Sequence, residues 1–71
     1  MALCDISVGQ RATVTCIKAE GDLRQRLMDL GLCSNTKVEC LCRAPGGDPS
    51  AYLIRGAVIA LRNEDCKKIL I

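Results

Sequence analysis

The sequence predicts a mainly β fold, a small and partly open barrel of about five short strands with one α-helix between the first and the second. Three observations point there. Apolar residues alternate with polar ones over several short runs, and Gly- or Pro-rich turns separate those runs. One stretch alone, Leu23 to Leu30, repeats its leucines at helical spacing. The chain has 71 residues, no Phe, no Trp and one Tyr, so it holds a single core built from Leu, Ile, Val, Ala, Met and Cys. One domain over residues 1–71 follows. A core of that size rarely contributes more than about 3–5 kcal/mol, so a partner, a metal or a second copy adds useful stability.

Each element has its own signal. Leu3 and Ile6 anchor the N-terminal segment on the core, and Gly9-Gln10 turns the chain into the first strand. From Arg11 to Lys18, Ala12, Val14 and Cys16 alternate with Arg11, Thr13 and Thr15, the period of a half-buried strand that ends near Glu20-Gly21. Asp22 followed three positions later by Gln25 predicts a capping box and the start of the helix. Its core-facing stripe is Leu23, Leu27 and Leu30, with Arg24, Arg26 and Asp29 off the centre and Met28 beside it. Gly31 permits the left-handed conformation that ends the helix, and Leu32 closes over the last turn. Alternation from Thr36 to Arg43 predicts a second strand with Val38, Cys40 and Cys42 on one face.

Ala44-Pro45-Gly46-Gly47-Asp48-Pro49 is the strongest turn signal in the chain. Beyond it, Ala51 to Arg55 and Ala57 to Arg62 read as a hairpin split by Gly56. Asn63 caps one helical turn through Cys66, and Ile69-Leu70-Ile71 is a last short strand.

Composition excludes several classes of function. Ten basic and eight acidic residues give a net charge of +2, scattered and without stacking aromatics, so no nucleic-acid partner is expected. No apolar window approaches the ~18 residues of a span, and no basic leader precedes an apolar stretch. A cytoplasmic location without membrane insertion is therefore the expectation.

In that reducing compartment Cys4, Cys16, Cys33, Cys40, Cys42 and Cys66 are expected as free thiols, mostly small buried hydrophobes, with Cys33 in a turn the most exposed. None stands in a Cys-x-x-Cys knuckle, so no metal ligand set and no required cofactor is expected; weak iron or zinc binding is the alternative. The chain has no His, Gly46-Gly47 lacks the Lys-Ser/Thr of a phosphate loop, and Asp22, Asp29 and Asp48 are accounted for by a cap, a solvated helix face and a turn. No catalytic residue is assigned. The chain reads as a binding module and not as an enzyme.

Arg26-Leu27-Met28-Asp29-Leu30-Gly31-Leu32, Val38-Glu39, Ala44-Pro45-Gly46-Gly47-Asp48-Pro49 and Arg55-Gly56 through Ala60-Leu61-Arg62 stand in an order and spacing that resembles the FeoA family of bacterial ferrous-iron transport accessories. The resemblance runs from Ile6 to Ile71. It implies an SH3-like barrel in the bacterial cytoplasm, peripheral to the inner membrane through its partner, the cytosolic part of a FeoB-type ferrous iron transporter. It also implies a modulating role there, on transport or nucleotide turnover. Arg26, Leu27, Met28 and the loop Ala44, Pro45, Gly46, Gly47, Asp48 and Pro49 are the partner-binding residues on this reading.

Two features depart from the family. Cys33-Ser34-Asn35 stands where Pro then Gly is common, and the cysteines lie outside the family pattern. A transition-metal sensor is the alternative, a small-barrel nucleic-acid-binding module a further one, and self-association stays open.

Overall fold

In the computed structural model, which describes residues 1–71, the alternating segments pair into two antiparallel sheets. Strands β1 (Arg11–Thr13), β2 (Cys16–Ile17), β3 (Lys37–Arg43), β4 (Ser50–Ile54), β5 (Ala57–Leu61) and β6 (Ile69–Leu70) are joined by helices α1 (Gly21–Asp29) and α2 (Asn63–Cys66), and a 3-10 turn covers Leu3–Asp5. The larger sheet has the order β1-β3-β4-β5, and β2 pairs with β6 in the smaller. Leu3, Val14, Leu27, Leu32, Val38, Cys40, Tyr52, Ile54, Cys66 and Ile69 fill the space between them. Arg43 fastens the N-terminal segment to the barrel by donating to the carbonyls of Cys4 and Ile6 and to Ser50 Oγ. No helix is long and apolar enough to cross a membrane.

The expected first strand is two strands. Val14 donates to Thr36 O and accepts from Asn35 N, whereas Thr15 already donates to Leu70 O and Lys18 to Lys68 O. The chain thus changes partner from β3 to the β6 segment, and Val14 is sealed at the seam with no exposed surface. A change of partner resets the alternation. Cys16, expected inward with Ala12 and Val14, is exposed, and Ile17 is half-buried instead.

A second reset lies in β3. Cys40 pairs with Tyr52 but Cys42 with Ala51, so Leu41 is an extra residue in a bulge. Cys40 stays in the core with Val38, while Cys42 is turned to solvent. The hairpin expected between Ala51 and Arg62 is present: Ile54 pairs with Ala57 across Arg55-Gly56, whose φ values of +49° and +82° belong to the turn that matches strand twist.

Helix α1 begins one residue before Asp22, and no side chain caps it. Gln25 Nε2 donates to Asp29 Oδ1 at 2.9 Å, one turn along, so the expected capping box does not form. Asp22 still lies in the first turn, where its charge favours the helix dipole. The end of α1 is as expected. Gly31 N donates to Met28 O and Leu32 N to Leu27 O, the paired bonds of a Schellman motif, with Gly31 at φ +97°.

Short helix α2 spans the expected residues, but Asn63 is not its cap. Asn63 N donates to Asp48 Oδ1 and its Nδ2 to Gly47 O, because the loop before β4 lies against it.

Candidate functional site

Helix α1 has nine residues and sinks only one of its leucines fully into the core. Leu27 is 2% exposed and Leu23 half-buried, whereas Leu30, at the residue where the chain already leaves the helix, is 39% exposed. The stripe expected from the leucine spacing is therefore narrower by a turn. Leu27, assigned to the partner-binding surface, is a core residue; its neighbours Arg26 and Met28 are exposed, Met28 by 45%. Leu23, Arg26 and Leu30 line one side of a groove of about 190 Å³, and Ala60, Arg62 and Asp65 line the other. The only ion pair in the chain joins Arg11 Nε to Glu39 Oε1 at 3.0 Å, so Arg26 and Arg62 line the groove without a salt-bridge partner.

The Ala44–Pro49 loop sits elsewhere. Ala44 N donates to Pro49 O at 2.9 Å and Gly47 N to Ala44 O at 2.7 Å, which folds the loop on itself, and Asn63 ties it to α2. Pro45, Gly46, Asp48 and Pro49 are exposed, Ala44 and Gly47 half-buried. No cleft is lined by both this loop and α1. Residues 62–65 adjoin both, facing α1 across the groove and holding the loop through Asn63.

A cluster that the sequence did not announce forms behind the Schellman turn. Arg55, in the β4–β5 turn, donates from Nε to Gly31 O at 2.9 Å and from Nη2 to Cys33 Sγ at 3.3 Å and Thr36 Oγ1 at 3.5 Å. Thr36 is buried, accepts the Cys33 amide at 3.2 Å and lies 3.2 Å from Cys33 Sγ. The Thr36 hydroxyl first, and the Arg55 guanidinium second, hold the Cys33 thiol below the ordinary thiol range, against a smaller opposing effect of desolvation. The one signal for this in the sequence is a non-glycine residue at the first position of a two-residue turn that demands positive φ, a conformation L-residues avoid without a local reason. Arg55 supplies that reason.

The cysteines divide by environment. Cys40 and Cys66 are buried, Cys4 and Cys33 half-buried, and Cys16 and Cys42 exposed, so the expectation of mostly buried thiols with Cys33 outermost is corrected by the two resets of alternation. All six are free thiols. No three of the Cys, Asp and Glu side chains converge in a way that would hold a metal ion.

A family model of the FeoA domain matches residues 1–71. The Fe(2+) transport protein A/Fe(2+) transporter FeoB fusion protein of Porphyromonas gingivalis is 29% identical over 69 residues, which cover 97% of this chain and 8% of the fusion protein. The chain thus spans less than a tenth of that relative. The solution structure of the FeoA protein from Chlorobium tepidum superposes with a TM-score of 0.90 at 39% identity, covering 97% of this chain and 66% of that one. A zinc-complexed FeoA of Stenotrophomonas maltophilia, described as a prokaryotic SH3 domain protein, superposes with a TM-score of 0.87 at 24% identity over 99% of this chain and 87% of its own. Its likeness bears on the fold, which is SH3-like. With the family model matched from end to end, the chain belongs to the FeoA domain family.

Proposed function

We propose that this chain is a non-enzymatic, cytoplasmic accessory of ferrous-iron transport that binds the cytosolic part of a FeoB-type transporter and modulates it. One observation carries the reading: in Porphyromonas gingivalis a domain similar to this one shares a polypeptide with FeoB. A covalent link keeps two domains at high effective concentration, which is useful when they act on each other.

The contact surface in this reading is the exposed face of α1, with Arg26 and Leu30 at the groove that Arg62 closes on the far side and Met28 exposed on the neighbouring flank of the helix. An exposed leucine between two guanidiniums without salt-bridge partners, with a pliable thioether beside it on the helix, suits an apolar side chain flanked by carboxylates. The Ala44–Pro49 loop is a second, separate point of contact. Association with the inner membrane then comes through the partner, and no cofactor is required.

The test is retention of the purified cytosolic part of the transporter on the immobilised domain. Arg26→Glu and Met28→Asp each change a solvent-facing side chain, so both variants are expected to keep the wild-type melting temperature. Each is expected to weaken binding about tenfold, the equivalent of ~1.4 kcal/mol. Equal retention of wild type and both variants removes α1 from the interface, and failure of the wild type to bind removes the reading itself.

A further inference from the structure

Beside the Schellman turn, Cys16, Ile17, Arg24, Met28, Cys33 and Ser34 line a cleft of about 360 Å³. It brings together two thiols, a thioether and a guanidinium from three separate parts of the chain, and no carboxylate lines it. We propose that this cleft is a site of thiol–disulfide exchange with small disulfides that carry carboxylates, Cys33 being the attacking thiol and Cys16 the resolving one. The proposal is independent of the transporter reading.

Three features of the cleft carry it. First, Cys33 Sγ is held by Arg55 Nη2 at 3.3 Å and lies 3.2 Å from Thr36 Oγ1, a pair of polar contacts that stabilises a thiolate at a half-buried but accessible sulfur. The lowering of the Cys33 pKa has the same two causes.

Second, Cys16 and Cys33 line the same cleft from separate segments, Cys16 from β2, which pairs with β6, and Cys33 from the turn that follows α1. Third, Arg24 lines the cleft and has no carboxylate partner in the chain; one of its nitrogens donates to Ile17 O at 3.4 Å, and the rest of the fork is available to an incoming carboxylate.

The chemistry balances as two exchanges. The Cys33 thiolate attacks one sulfur of the small disulfide, forms a mixed disulfide and expels one thiolate. Cys16 then gives its proton to solvent and attacks the Cys33 sulfur, expelling the second thiolate and closing a Cys16–Cys33 disulfide. Two protein thiols are oxidised, and one small disulfide is reduced to two thiolates. Cys42 is equally open to solvent but receives no hydrogen bond, and Cys40 and Cys66 are buried, so the chain contains its own controls.

The test treats the reduced domain with oxidised glutathione and follows intact mass, with peptide mapping of the sulfurs. Wild type is expected to lose two hydrogens with no retained adduct, and the mapped product is a Cys16–Cys33 link. Cys16→Ser is expected to stop at one glutathione on Cys33. Arg55→Gln is expected to slow the first step about tenfold, through a smaller thiolate fraction. Arg24→Gln is expected to slow glutathione disulfide but not the uncharged hydroxyethyl disulfide. Mapping on the wild type needs no variant to fold: first modification at Cys42 or Cys4, or an adduct that persists on Cys33 while Cys16 stays free, overturns the proposal.

Discussion

Cys66 and Tyr52 face each other in the core, Cys66 Sγ donating to the tyrosine hydroxyl at 3.7 Å. Burial pushes the Cys66 thiol up to about 11 and holds the Tyr52 hydroxyl well above the ordinary phenol range, so both stay neutral in the folded chain. In the unfolded chain the thiol ionises at roughly 8.5. Between that value and about 11 the unfolded state sheds a proton that the folded state keeps, so stability falls as pH rises through this window and is fully present below it. Urea midpoints are expected to drop between about pH 7.5 and about pH 10, and Cys66→Ala is expected to flatten part of the drop. An unchanged midpoint in wild type would place the pair in contact with solvent. None of this was legible from the residues alone, because a thiol in an alternating strand and a thiol in a cleft have the same letter. What distinguishes Cys33 from Cys66 is the guanidinium that reaches one and the tyrosine that covers the other.

Among the elements, those with local causes were legible in the sequence and those with remote causes were not. The end of α1 follows from Gly31 and Leu32 by themselves, and the β4–β5 hairpin from the glycine at its turn. The split of the first strand and the bulge at Leu41 depend on which segment lies opposite, which alternation cannot report. The candidate site shows the same division: helical spacing put Leu27 in the core stripe and Arg26 and Met28 off its centre, as found, which removes Leu27 from the contact surface, while the reach of Arg55 to the turn was missed.

Gly31 tests the element most directly. A Cβ there would lie 2.9 Å from Arg55 Cδ and would occupy a left-handed conformation at φ +97°. Gly31→Ala is therefore expected to cost about 1–2 kcal/mol in urea unfolding. It is also expected to slow alkylation of Cys33, because Arg55 must move from its place against the turn. A neutral effect on both would show that the end of α1 has room to adjust.

For the whole molecule, the core sets how much any one substitution can remove. Leu27 is packed with Leu3, Leu32, Tyr52 and Ile54 in the single cluster, and Leu27→Ala is expected to cost about 2–5 kcal/mol, comparable to the roughly 3–5 kcal/mol that a domain of this size holds. Circular dichroism is expected to show that variant largely unfolded at room temperature, whereas Met28→Asp keeps the wild-type spectrum; a folded Leu27→Ala would imply a second source of stability such as self-association. For the same reason loss of transporter binding by Leu27→Gln would report unfolding and not contact.

The passage of one strand from the larger sheet to the smaller at Val14 has a consequence for synthesis. Strand β2 leaves the ribosome early but pairs only with β6, and the main chain of Met1 is met by Ile71 N at 2.9 Å. The four-stranded meander can form as it emerges, yet the barrel stays open until nearly the last codon of this segment has been read. A translational pause within it would hold β2 without its partner and leave the core exposed to chaperones along the whole of that interval.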